Sequence, residues 1–486
     1  MRVAWKEISS LITLLGILGS GVVQAQSTAV TRLGLQECID IALKNNITVR
    51  QGQLNVDNAN LQLRQSRLNL YPTANFQGSQ SYSAGLVINP IDNTASNQVI
   101  NSSNYQLNSS VTLFNGFAQR NAIRQNSLAL DAGQQELRAT RNNVALNVVQ
   151  QYLNVLTGRE QLQIAQRQAE VTQAQLDRTQ RQVTAGSLPE ANLYDIRAQL
   201  ANNELDIVNA QNTLDLAKVA LLQAMNVPVT QEFDVEPIDV ADPTVAPYAA
   251  SVQEIYETAA GTLPEVQGAD LRIQAAGLGV EVARGSLYPI LSLNGNLSTV
   301  YSSLAPGPFV PNGQDVQVPT QFFIPGPDGT PQPIFQSVRG GVQGRYSYFE
   351  QLSNNLNRSV SLFLRVPIFA GNQARNRVTT AKIQQQNAQL QADDIRLQLR
   401  QQIETAYTNM RASANRYRAQ LAQVTSLEQA FRVSESRFNA GALNAVDYNI
   451  AKTNLDRARA ALVQSKYDYV FRTKILDFYQ NKPLSF

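Results

Sequence analysis

The chain repeats itself once at long range, and that duplication limits its possible folds more than any other feature. Gln36-Glu37 recurs as Gln253-Glu254, and Arg67-Leu68-Asn69-Leu70-Tyr71-Pro72 recurs as Arg284-Gly285-Ser286-Leu287-Tyr288-Pro289, both at a spacing of 217 residues. Farther on, Phe114-Asn115-Gly116 recurs as Phe369-Ala370-Gly371 and Ala185-Gly186-Ser187-Leu188 as Ala440-Gly441-Ala442-Leu443, now at 255. Two constant spacings kept in order imply two copies of one structural unit, residues 26–250 and 251–486. The spacing grows between Tyr288 and Phe369, where eight prolines from Pro306 to Pro333 mark an insertion. Residues about 304–345 are therefore expected to form a long irregular loop between the third and fourth strands, outside the cell if those strands span a membrane.

Each unit reads as helix, strand, strand, very long helix, turn, helix. No proline occurs from Gly116 to Val183 or from Gly371 to Phe438, and both stretches are rich in Gln, Ala, Leu and Arg. At 1.5 Å per residue, each helix would run roughly 100 Å, far beyond a single globular domain. Leu137, Val144, Val148, Tyr152 and Val155 recur at helical spacing, as do Ile383, Leu390, Leu397 and Ile403. Each helix thus carries an apolar stripe that needs lateral partners. Ala-Gly ends each long helix, and Pro189 or Asn444 starts a returning one. This predicts helical hairpins over about 116–226 and 371–480, with their tips together at one end.

Residues about 74–84, 105–114, 290–301 and 358–369 alternate with period two. Tyr105, Leu107, Val111 and Leu113 fall on one face, with Gln106, Asn108, Ser110 and Thr112 on the other. Their lengths suit tilted membrane-spanning strands, and Tyr71, Tyr82, Tyr288 and Tyr301 near their ends suit an interfacial aromatic girdle. No stretch after the N-terminal region has the 18 or more apolar residues that a spanning helix needs. Four strands cannot enclose a water-filled lumen, and an open sheet edge is not tolerated in lipid. If the strands enter a membrane, several chains must share one barrel.

Arg2 and Lys6 precede the apolar run Leu11–Leu18, and Val23-Gln24-Ala25 has a cleavable small-residue pattern, so residues 1–25 are expected to be a secretory signal peptide. With no histidine and one cysteine, the chain cannot build a histidine-bearing zinc site, a Ser-His-Asp or Cys-His nucleophile, or an internal disulfide. Cys38 is expected to be a small buried side chain on a helix. Gly277-Leu278-Gly279 lacks the third glycine of a dinucleotide loop. An enzyme is therefore not expected, nor is a catalytic, cofactor or metal site. A net charge of +3, with 40 basic residues interspersed among 37 acidic ones, also gives no nucleic-acid footprint.

The duplicated plan, with Leu-Tyr-Pro before each strand pair, Phe-x-Gly after it and Ala-Gly-x-Leu at each tip, resembles the TolC-like outer-membrane efflux proteins. The resemblance covers essentially the whole chain after residue 25. It implies an α+β membrane protein in which trimerisation closes a transmembrane β-barrel of four strands per chain, twelve in all, above a long periplasmic α-helical barrel. It also implies a passive exit duct of a tripartite efflux or type I secretion system in a Gram-negative outer membrane. Its partners would be outer-membrane lipid, a periplasmic adaptor and an inner-membrane pump. Gly186, Leu188, Gly441 and Leu443 match the family's adaptor-contacting tips. Asp447 matches an acidic entrance ring that attracts cations. Asn192 stands at the corresponding first-half position, and Ile450 where some relatives carry a second acid. Phe438 and Leu443 replace the tyrosine and arginine with which some relatives latch the gate. The competing reading is a structural or adhesive coiled-coil envelope protein with no channel.

Overall fold

A computed structural model describes residues 31–88, 93, 95–228, 233–238 and 248–482. The expected signal peptide lies outside the described residues. Helix α1 (Leu35–Asn45) and helix α2 (Ile47–Leu68) are separated by Asn46 alone. Asn46 is extended, with ψ 127°; its amide donates to Ala42 O, and its side chain accepts from Thr48 N–H at 2.9 Å. One residue therefore ends the first helix and caps the second. The same break recurs 217 residues later at Leu263, between helix α5 (Val252–Thr262) and helix α6 (Pro264–Gly285), where Pro264 supplies a first-turn residue without an amide hydrogen.

The long helices of the two units match residue for residue in length. Helix α3 (Ala118–Thr184) and helix α8 (Gln373–Asn439) have 67 residues each, while helix α4 (Ala191–Met225) and helix α9 (Ala445–Tyr479) have 35. Phe117 and Asn372 enter α3 and α8 with the same left-handed backbone, φ 64° and 59°. The core is duplicated too. Cys38, Val148 and Leu221 form one fully buried cluster with Tyr152 and Met225. Their counterparts at the two spacings, Ile255, Ile403 and Leu476, form a second. Cys38 occupies a site that the other unit fills with isoleucine, and it behaves there as a small apolar side chain. Desolvation by burial, helped by the nearby Glu37 carboxylate, pushes its thiol up to about 12.

Strands β2 (Thr73–Ile88), β3 (Ala95–Asn115), β5 (Ile290–Ser302) and β8 (Asn357–Arg365) form one antiparallel sheet in that order. The register joins Phe76 to Leu107 to Leu297, and Val111 to Leu293 to Leu362, across one face. Asn75, Asn108, Asn296 and Ser359 line up on the other. The apolar face is bare: Phe76 is 69% and Leu362 63% exposed. Among the described residues, neither edge strand, β2 or β8, has a further partner strand.

Three features depart from the sequence reading. β3 begins at Ala95, well before the alternation becomes regular, so β2 and β3 run on beyond β5, whose last pairing is Ser102 with Ser302. The insertion is no irregular loop. Strand β6 (Phe309–Pro325) pairs with strand β7 (Pro331–Gln343) as a long hairpin, and helix α7 (Tyr348–Asn354) follows. Four of the prolines, Pro311, Pro319, Pro325 and Pro331, sit at register shifts or strand ends, where a missing amide hydrogen costs little. Finally, strand β1 (Thr31–Leu33) pairs in parallel with strand β4 (Phe233–Val235), two three-residue elements too short for any periodic signal. Tyr152 OH donates to Glu236 O at 2.7 Å and so ties α3 to this clasp.

Candidate functional site at the helical tips

Each long helix ends in the same hydrogen-bonded turn. At the first tip, Ser187 N–H donates to Gln182 O and Gly186 N–H to Val183 O, both at 2.9 Å. At the second, Ala442 N–H donates to Arg437 O at 2.8 Å and Gly441 N–H to Phe438 O at 3.0 Å. These paired bonds close a helix only if the residue after the cap is left-handed, and Gly186 and Gly441 have φ 73° and 74°. Neither glycine has an atom within 4 Å of where a Cβ would stand. The backbone conformation demands glycine here; packing within the chain does not. Both glycines are exposed, with Leu188 and Leu443 half-buried beside them.

Asp447 is exposed in the first turn of α9, and it also completes the helix start. Its amide donates to Asn444 Oδ1 at 2.8 Å, and its carboxylate accepts from Asn444 Nδ2 at 3.0 Å. Asn192 is half-buried and Ile450 exposed. Phe438 is occupied within its own hairpin, stacking on Tyr448 with ring centroids 4.6 Å apart, while Phe431 meets the same ring from another side. The two hairpins touch near their tips, where Arg178 Nη1 on α3 donates to Asn439 Oδ1 on α8 at 2.8 Å.

Sequence reasoning missed two things. Asp195, one turn into α4, is the first-unit counterpart of Ile450 at the 255 spacing, so an exposed acid stands there in the other hairpin, with Glu190 just before the helix. Applying the repeat spacing to Ile450 would have found it. The second is a buried polar junction joining α3, α4 and α9. Thr172 Oγ1 donates to Gln168 O at 2.9 Å and accepts from both Lys452 Nζ and Asn203 Nδ2 at 2.7 Å. Thr172, Asn203 and Lys452 are 3%, 4% and 8% exposed. Burial lowers the Lys452 ammonium from its ordinary range, and Asp456 one turn away counters that. Burial raises the Asp456 carboxyl, against the pull of Lys452 and Arg459. The sequence signal was a lysine in step with Tyr448 and Leu455 on the inward stripe of α9.

A family model described as "Outer membrane efflux protein" matches residues 38–227 and 255–476, one segment per structural unit. The chain belongs to the outer membrane efflux protein family. This outer membrane efflux protein is 29% identical to the cation efflux system protein CusC of Escherichia coli over 55% of its own length and 56% of CusC. It is 23% identical to the outer membrane protein TolC of Escherichia coli, over 67% of its length and 58% of TolC. These alignments span little more than half of each relative. A further relative, CyaE of Bordetella pertussis, is 23% identical over 84% of this chain and 76% of CyaE.

The fold likeness is broader. Solved CusC superposes with a TM-score of 0.67 at 20% identity, covering 94% of both chains. VceC of Vibrio cholerae gives 0.68 at 15% identity, covering 93% of this chain and 97% of VceC. The family is one of channels, not enzymes. This efflux protein accordingly sits in the outer membrane, with its helices extending into the periplasm. No helix among the described residues is long and apolar enough to cross a membrane.

Proposed function

We propose that three copies of this chain form the exit duct of a multicomponent export system, closing a twelve-stranded barrel over a common helical conduit. The observation that carries the reading is the sheet itself. Among the described residues its apolar face is bare and its two edges are unpaired, at one end of helices roughly 100 Å long. In lipid an unpaired edge leaves a row of amides and carbonyls unsatisfied, at several kcal/mol per group, so β8 of one copy must pair with β2 of the next. Four strands per copy reach twelve, enough for a polar lumen lined by Asn75, Asn108, Asn296 and their neighbours. A coiled-coil rod without a channel would have no use for this sheet.

In this reading the two tips receive a periplasmic adaptor, with Gly186 and Gly441 allowing close backbone approach and Leu188 and Leu443 giving apolar contact. An inner-membrane pump selects the cargo. Asp447 contributes one carboxylate per copy to the entrance, where a ring of like charge favours cations over anions. The arrangement serves a tripartite efflux pump or a type I secretion system equally. The deciding experiment is the native mass of the detergent-extracted protein against the 53.4 kDa chain less its expected signal peptide. Three copies are expected; a monomer, or a protein that stays in solution without detergent, overturns the proposal.

A further inference from the structure

The β6–β7 hairpin presents an aliphatic stripe that no described residue of its own chain covers. Register places Val316 opposite Val338 and Val310 opposite Val342 on one face, with Val318 alongside. The other face carries Asp315 opposite Arg339 and Pro319 opposite Phe335. The hairpin forms a sheet of its own, and none of its residues joins a hydrophobic cluster. Val310 is 56% and Val342 70% exposed. A solitary two-stranded hairpin is marginal in water, so such a stripe calls for a partner.

A second bare stripe lies at the same end of the sheet. Beyond the level of Ser302, β2 and β3 continue as a two-stranded ribbon, with Ile100 buried on one face and the other face bare. Its apolar face carries Tyr82, Leu86, Ile88 and Val99, in line with Phe76. Neither stripe bears a charge. The strand order allows the two stripes to meet between adjacent copies. β6–β7 leaves from the end of β5 and returns through α7 to β8, one edge of the sheet, whereas the ribbon is made of β3, which flanks β5 in the same copy, and β2, the opposite edge. Ring closure sets β8 of one copy beside β2 of the next, which brings the root of the hairpin next to the neighbour's ribbon. Within a single copy both stripes remain exposed.

We propose that the aliphatic stripe of β6–β7 packs on the projecting β2–β3 ribbon of a second copy of this chain, forming a clasp between adjacent copies above the membrane barrel. The proposal rests on the ring-closure reading given above. The root is built to hold the hairpin in place: Gly307 N–H donates to Gly344 O and Gly344 N–H to Pro308 O, both at 3.0 Å. A Cβ on Gly307 would come within 2.3 Å of Gly344 O, so the two backbones meet there only because residue 307 has no side chain.

The test co-expresses a tagged chain carrying Leu86→Cys with an untagged chain carrying Val338→Cys, purifies the complex through the tag and treats it with a short bismaleimide. Cys38 is fully buried and contributes no background. A linked two-chain band is expected only when both variants are present. Asp315→Cys, on the opposite face, should link to Leu86→Cys at no more than about a tenth of that yield. Replacing Val316, Val338 and Val342 together with Asn should speed subunit exchange at least tenfold. A complex of three copies by native mass with no linked band overturns the clasp alone, as do equal yields from the two hairpin faces, or loss of linkage on adding lipid. A native mass of one copy overturns the clasp and the ring together.

Discussion

Thr172→Val should loosen the attachment of α9 to α3 by an amount the junction geometry allows to be worked out. The Thr172 hydroxyl accepts from a buried ammonium and a buried amide, both at 2.7 Å. Valine keeps the shape and removes the acceptor. The ammonium retains Gln168 O at 3.3 Å and the Asn203 amide the same oxygen at 3.4 Å, both long. A lost hydrogen bond to a charged group costs about 1.5–3 kcal/mol, and the stranded amide about 1 kcal/mol more, giving roughly 2.5–4 kcal/mol. Native-state hydrogen exchange of the full-length protein in detergent reads this locally. Amides around residues 168–176 and 448–456 should lose protection by roughly 60- to 700-fold, while those around Val148 and Ile403 stay unchanged. Thr172→Ser, which restores the hydroxyl, should stay within about threefold of the parent protein. Adding Lys452→Met to Thr172→Val should recover much of the loss, because it removes the stranded charge. An unchanged protection factor in Thr172→Val, or strictly additive effects in the double variant, would refute the account.

Three further outcomes follow from named contacts. Gly441→Ala must hold alanine at φ 74°, which costs about 1–2 kcal/mol, so exchange in the last turn of α8 should rise about tenfold, and Gly186→Ala should do the same to α3; no change at either tip would remove the backbone argument. Asp447→Asn should lower the cation preference of single-channel conductance, whereas Asn444→Ala should weaken the start of α9 and leave selectivity alone; equal selectivity in Asp447→Asn and the parent would dismiss the entrance ring. The Cys38 thiol titrates higher folded than unfolded, so its contribution to stability is complete below about pH 9 and is lost as pH rises toward 12. Denaturant unfolding compared at pH 8 and pH 11 should show a smaller alkaline loss in Cys38→Val, and thiol reagents at pH 8 should not label the folded parent; prompt labelling would contradict its burial.

The parts of the fold readable in advance were those written in local chemistry and repeated. The Ala-Gly turns announced the helix ends because Schellman bonding needs a left-handed residue at a fixed place. Leu107, Val111 and Leu113 announced a strand because period two survives wherever one face stays apolar. What escaped notice lacked either support. Three-residue strands such as Thr31–Leu33 and Phe233–Val235 carry no period and form only because distant segments meet. The prolines of residues 304–345 suggested a loop because proline weakens a ladder, but a two-stranded hairpin tolerates them at its bulges. At the tips, the glycines and Asp447 could be named from position in the repeat. Lys452 could not, because its importance depends on Thr172 and Asn203 arriving from two other helices.

The strand order also governs when the protein can fold. β3 pairs with β5 across roughly 175 intervening residues, and β5 in turn waits for β8. The α3–α4 hairpin, in contrast, can close as soon as its own residues emerge, since its contacts are local. During export the first two strands are therefore left as a lone ribbon while two long helices form behind them. A bare apolar ribbon of this kind is an aggregation hazard until the second unit arrives. On its other face the polar residues Gln77, Ser79, Ser81 and Ser83 fit that interval, because they keep this stretch of β2 wet while Ile100 opposite Ser83 awaits its cover.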